Sequence, residues 1–145
     1  MVRDCRITMI YEGITGIQAL DLIGKKVLAN KGKGLRQVIV HIMANMEKLP
    51  ESLAGYKKIV MQALTEWGKL ANDVGKKAMT NADEIGAASF DFLMYSGYVC
   101  LAWQWANMAA RASEKIDQRS DDSFYRGKLQ TARFYFERIF PRAHT

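Results

Sequence analysis

Nineteen consecutive residues, Phe92 to Ala110, carry no charge. A stretch of that length and apolarity has two homes, a bilayer or a protein interior. Ser96, Gln104 and Asn107 interrupt it, and Asp91 stands directly before it. At 100° per residue, Ser89, Ser96, Cys100, Gln104 and Asn107 gather into one stripe. A helix here therefore has a weakly polar seam, and amides carried into lipid without partners are costly. The stretch reads as the central helix of a soluble bundle rather than as a membrane span.

The flanking sequence supplies the other helices. Gly16 to Ala29 places Ile17, Leu20, Ile23, Val27 and Leu28 near i, i+3, i+4 spacing, and Asn30-Lys31-Gly32-Lys33-Gly34 is a stop signal. A second helix is expected from about Leu35 to Lys48, closed by Leu49-Pro50. A third runs from about Glu51 to Met79 on the stripe Leu53, Tyr56, Val60, Leu64, Trp67, Leu70 and Val74. Asn81 followed three residues later by Glu84 is a capping-box variant, opening the long apolar helix from about Ala82 to Ile116. Ser120 or Asp121 can cap a last helix carrying Tyr125, Leu129, Ala132, Phe136 and Ile139, which Pro141 ends. No alternating run is long enough for a strand. The expected fold is all-α: an antiparallel bundle of four long helices plus a shorter N-terminal helix, with residues 1–15 extended or loosely ordered.

Composition supports one real core. Of 145 residues, 49% are hydrophobic and 25% charged, which excludes a disordered tail. The net charge of +6 comes largely from scattered pairs such as Lys25-Lys26, Lys57-Lys58 and Lys76-Lys77. No aromatics interleave with the basic stretch Lys25 to Arg36, so nucleic-acid binding is not expected. Lys25, Lys26, Lys31, Lys33 and Arg36 read as a solvated face, with contact to a phosphorylated ligand as the alternative. Two distant cysteines, Cys5 and Cys100, make no disulfide framework, and His41 and His144 alone are poor material for a metal site. The charged start Met-Val-Arg-Asp-Cys-Arg shows no signal peptide, so a cytoplasmic location is expected. The aromatic set Tyr95, Tyr98, Trp103, Trp105, Phe134, Tyr135 and Phe136 reads as packing, with a ligand pocket as the alternative.

Residues 6–22 carry the most specific signal. The run Arg6-Ile7-Thr8-Met9-Ile10-Tyr11-Glu12-Gly13-Ile14-Thr15-Gly16-Ile17-Gln18-Ala19-Leu20-Asp21-Leu22 resembles the glutamate segment of acyl-CoA dehydrogenases. The similarity is to the branch with an appended C-terminal helical domain, which includes enzymes acting on 3-methylthiopropanoyl-CoA and on long acyl-CoAs. Downstream, Gly97-Tyr98-Val99, Trp105 and Met108-Ala109 resemble that domain's long helix. Phe124-Tyr125, Lys128 and Thr131-Ala132-Arg133-Phe134-Tyr135-Phe136 resemble its last helix.

The resemblance implies a flavoprotein oxidoreductase of fatty acid metabolism, with an acyl-CoA substrate and FAD. Glu12 matches the base that removes the α-proton of the acyl thioester while a hydride passes to the flavin. Gly13 matches a substrate contact. Thr15 and Gly16 match cofactor-binding positions, where amides at a helix N-terminus suit a pyrophosphate. The family usually has Thr directly after Glu-Gly; here Ile14 stands there, which removes one hydroxyl donor. The implied domains are 1–30, the end of the catalytic helical domain, and 31–145, the appended bundle.

Only eleven residues precede Glu12, and 133 of the 145 follow it. The expectation is therefore a C-terminal fragment that completes its acyl-CoA site with domains elsewhere. Alone it should bind no FAD and be catalytically silent. Exposed apolar faces on the first helix favour a homo-oligomer. The alternative is a stand-alone helical interaction or oligomerisation module without catalysis.

Overall fold

The structure is a computed structural model that describes residues 14–118 and 123–144. Helix α1 spans Thr15–Leu20 and continues in π-type winding over Asp21–Leu28. Helix α2 is Lys33–Met46, and a 3-10 turn at Glu51–Leu53 leads into α3, Ala54–Ala78. Helix α4, Asp83–Asp117, is the longest. Helix α5, Ser123–Phe134, continues in π-type winding over Tyr135–Ile139 and ends in a 3-10 turn, Phe140–His144. No strand occurs among the described residues, and the fold is the expected all-α bundle.

The stops are chemical. After α1 the Gly32 amide donates to the Val27 carbonyl (2.9 Å) and the Lys31 amide to the Leu28 carbonyl (2.9 Å). This is the Schellman pattern, and it puts Lys31 at φ 56° and Gly32 at φ 72°. The left-handed position thus falls first on a lysine, one residue before the glycine of the stop signal. At the start of α4, Asn81 Oδ1 accepts from the Asp83 amide (3.1 Å), an Asx turn that feeds the first helical residue. The cap expected at Ser120 or Asp121 lies outside the described residues.

Helix α4 is the hub. It packs against α1, α3, α5 and the terminal 3-10 turn. Its inward face is Phe92, Tyr95, Ser96, Val99, Ala102, Ala106, Ala109 and Ala112, all buried. The run of alanines lets neighbouring helices approach closely, and Ile23, Ile42, Met46, Val60, Leu64 and Trp67 fill the space between them. Cross-bonds fix antiparallel register. The Tyr95 hydroxyl lies 3.2 Å from the Ala63 carbonyl on α3, and Tyr135 donates to the Tyr98 carbonyl (2.8 Å) from α5. By length and composition α4 could also cross a bilayer. Part of its polar seam is satisfied inside the protein: Trp67 Nε1 donates to Ser96 Oγ (2.8 Å), which donates to the Phe92 carbonyl (2.6 Å), while Gln104 is exposed.

Three details differ from the periodicity. Ile17 and Leu20 on α1 are 66% and 47% exposed, while Ala19, Ile23 and Val27 face inward. Both exposed residues lie in the α-type turns before the π-type segment, which is marked by the Ala29 amide donating to the Gly24 carbonyl (3.0 Å), five residues back. Leu70 is exposed, and Ala71 takes its place in the core. At the other end, Tyr135 and Phe140 are buried alongside Phe136, through a π-type turn that brings residues five apart onto one side. Thr15, placed in the extended segment by the sequence, is already helical.

Candidate functional site

Of the site residues singled out by the sequence, Thr15 and Gly16 lie at the start of α1. Glu12 and Gly13 lie outside the described residues. Thr15 and Gly16 form the first turn of the helix, and both are exposed. Ile14 occupies the N-cap with φ −113° and ψ 5°, and no side chain caps the helix there. Its carbonyl accepts from the Gln18 amide (2.9 Å), the first intrahelical bond. The aliphatic Ile14 side chain offers no acceptor to the amides of Thr15, Gly16 and Ile17, which point out of the helix end. A Cβ added at Gly16 would meet no described atom within 4 Å. The arrangement suits an anionic oxygen supplied from outside α1.

The remaining polar groups do structural work. Glu66, Tyr95 and His144 meet from α3, α4 and the C-terminal turn. Tyr95 donates to Glu66 Oε2 (2.9 Å), Gln62 donates to Glu66 Oε1 (3.0 Å), and His144 Nδ1 lies 3.7 Å from the same carboxylate. The Gln62 bond is the main reason that Glu66 sits below the usual carboxylate range, with Tyr95 and His144 helping. Burial pushes the Tyr95 hydroxyl well above its ordinary range, and the Glu66 carboxylate adds to the effect. Burial likewise raises the Cys100 thiol, which keeps it protonated and poorly nucleophilic. Sequence spacing gave no hint of the Glu66 cluster, because its members come from three helices and meet only through packing.

The aromatic set forms walls rather than an open box. Tyr135 stands edge-on to Phe136 (5.7 Å) and overlaps Trp105 (6.3 Å), and Tyr56 stacks on Phe136 at 4.1 Å. Trp103 is tied to α2 by a 2.6 Å bond to Asn45 Oδ1. Phe134, by contrast, faces solvent. Among the described residues no group of three or more His, Cys, Asp or Glu side chains could hold a metal ion.

Known proteins supply the context. Residues 33–145 match the family described as acetyl-CoA dehydrogenase C-terminal like. The chain is 30% identical to a 3-methylmercaptopropionyl-CoA dehydrogenase of Ruegeria pomeroyi over 94% of its own length and 24% of that protein. It is 28% identical to a broad-specificity linear acyl-CoA dehydrogenase of Mycobacterium tuberculosis, over 97% of this chain and 25% of that one. A butyryl-CoA dehydrogenase of Syntrophomonas wolfei is 26% identical over 97% of this chain and 24% of its own. The chain thus spans about a quarter of the length of the curated relatives it matches. With more than two-thirds of its residues inside the matched region, the chain belongs to the acetyl-CoA dehydrogenase C-terminal-like family.

Proposed function

We propose that this chain is the C-terminal quarter of an FAD-dependent acyl-CoA dehydrogenase and contributes the catalytic base to a site completed by the other three-quarters. One observation carries the reading. The similarity to dehydrogenases runs through 97% of the chain, so the segment Glu12 to Gly16 is inside the matched stretch as well as the bundle. In this reading residues 1–30 end the catalytic helical domain, and residues 31–145 are the appended bundle.

The chemistry asked of each residue is limited. An α-proton beside a thioester is weakly acidic, so its removal needs a positioned carboxylate in a water-poor site. Glu12 takes that proton onto a carboxylate oxygen. Gly13, without a Cβ, lets the backbone approach the thioester. FAD, when bound, supplies the hydride acceptor for the β-carbon. The first turn at Thr15 and Gly16 fits a phosphate oxygen of such a cofactor, since no side chain of the helix competes for those amides. Ile14 removes the capping hydroxyl that a threonine would offer, which leaves more of that work to the backbone.

A base without walls, electrophile and flavin lacks most of the required barrier reduction. The isolated chain is therefore inactive in this reading. It self-associates through Ile14, Ile17 and Leu20, which lie exposed on α1, and it works in the cytoplasm. The test has two arms. The isolated chain mixed with FAD, an acyl-CoA and an electron acceptor should show no turnover. In the enzyme carrying the upstream three-quarters, Glu12→Gln should lower kcat by about 10²–10⁴-fold. Turnover by the chain alone, or full activity of the Gln variant, refutes the assignment.

A further inference from the structure

A groove of about 670 Å³ lies between the C-terminal ends of α1 and α3 and the start of α2. That is the size of a small-molecule site. Val27, Leu35, Ile39 and Ile85 give it apolar walls. Gly75 lets α3 lie close to Leu28 along this groove, since a Cβ there would come within 3.1 Å of Leu28 Cδ2. Lys31, Arg36 and Lys76 line it, together with the amide side chain of Asn72, and no acidic residue among the described residues does. The cations stand on both sides. Arg36 Nη2 donates to the Lys31 carbonyl (3.0 Å), which holds the guanidinium over the end of α1, while Lys76 comes from α3 opposite. Met79, at the edge, is 89% exposed, an apolar side chain with nothing of its own to cover.

Apolar walls beside three cations and no carboxylate complement one kind of molecule, an amphiphile with an anionic head. Three positive charges exceed what one carboxylate needs and match a phosphate monoester. The cations also adjoin the apolar wall directly. A CoA ester keeps its phosphates away from the acyl chain by a long polar pantetheine arm, so it fits this spacing poorly. We propose that this groove binds a single-chain lipid whose phosphate head is attached directly next to its alkyl chain, separately from any acyl-CoA site near α1.

Decyl phosphate tests this by calorimetric titration of the 145-residue chain at concentrations below micelle formation. Binding should be saturable with one site. Lys76→Glu and Lys31→Glu should each weaken it at least tenfold, and Ala78→Trp, which fills the groove from the last turn of α3, should do the same. All three positions are exposed or half-buried, so circular dichroism should confirm an unchanged fold. Decanol and inorganic phosphate should each bind at least tenfold more weakly than decyl phosphate. Equal binding of decanol means a merely greasy surface, and equal binding of inorganic phosphate means an anion site only; either overturns the proposal. So does decanoyl-CoA binding as tightly as decyl phosphate, or affinity that the three variants leave unchanged.

Discussion

Replacing Ser96 by alanine isolates the bond that makes α4 a protein-interior helix. Ser96 and Trp67 are 6% and 5% exposed, and the indole N–H has Ser96 Oγ as its acceptor at 2.8 Å. In the Ala variant that donor is buried without its partner. A buried unsatisfied donor costs about 1–3 kcal/mol. Alanine returns roughly 0.4 kcal/mol through better helix propensity. The net loss is about 0.6–2.6 kcal/mol, read as a drop of about 0.3–1.3 M in the urea midpoint at an m-value of about 2 kcal/mol/M. Trp67→Phe removes the donor itself and leaves Ser96 bonded to the Phe92 carbonyl, at the cost of a cavity. Adding Ser96→Ala to that background should then cost under about 0.5 kcal/mol, so the double-mutant cycle should show coupling of about 1–2 kcal/mol. Urea denaturation followed by circular dichroism at 222 nm measures all four proteins. A Ser96→Ala loss below about 0.5 kcal/mol, or an additive cycle, would refute the argument that this hydrogen bond is what the polar seam is for.

Further outcomes follow from the same geometry. Lys31→Gly should raise stability by about 0.5–1 kcal/mol, because the left-handed position after α1 now holds a side chain; Gly32→Ala, at φ 72°, should lower it by about 1 kcal/mol, both read from thermal midpoints. Tyr95 and Tyr135 have hydroxyls raised by burial, so their contribution is whole below about pH 10 and is lost as the pH climbs above it. Stability should fall steeply in that alkaline window, and the Tyr95→Phe/Tyr135→Phe protein should show a shallower slope. Glu66 is the opposite case: its lowered carboxylate stabilises above about pH 4.5, and that share is lost as the pH falls below it, which Glu66→Gln should flatten. In a Cys5→Ser background, Cys100 should react with a disulfide reagent at pH 7 at least tenfold more slowly than after unfolding, because burial both raises its thiol and blocks access.

Much of the fold is written locally. Helix ends at Asn30 to Gly34, Leu49-Pro50 and Asn81 are turn and cap chemistry that needs only near neighbours. The apolar stripe of α3 from Leu53 to Trp67 and the inward placement of α4 also follow from periodicity. The site is legible differently. Thr15 and Gly16 were found by resemblance, and their exposure at an uncapped helix mouth is a structural fact that the aliphatic Ile14 explains. The groove between α1, α2 and α3 was not legible at all. Lys31, Arg36 and Lys76 read as solvated charge until the fold set them around one apolar cavity.

The sequence by itself determined that this chain folds into helices, where most of them begin and end, and which helix lies at the centre. The tertiary structure decided which faces those helices bury. Ile17 and Leu20 turn outward while Ala19 and Ile23 turn in, and Tyr135 and Phe140 both join the core across the π-type turn that ends α5. The physical reason is one of range. Caps and propensities act within a few residues, whereas the winding of a helix end is selected by the neighbours that it meets, and those belong to other parts of the chain.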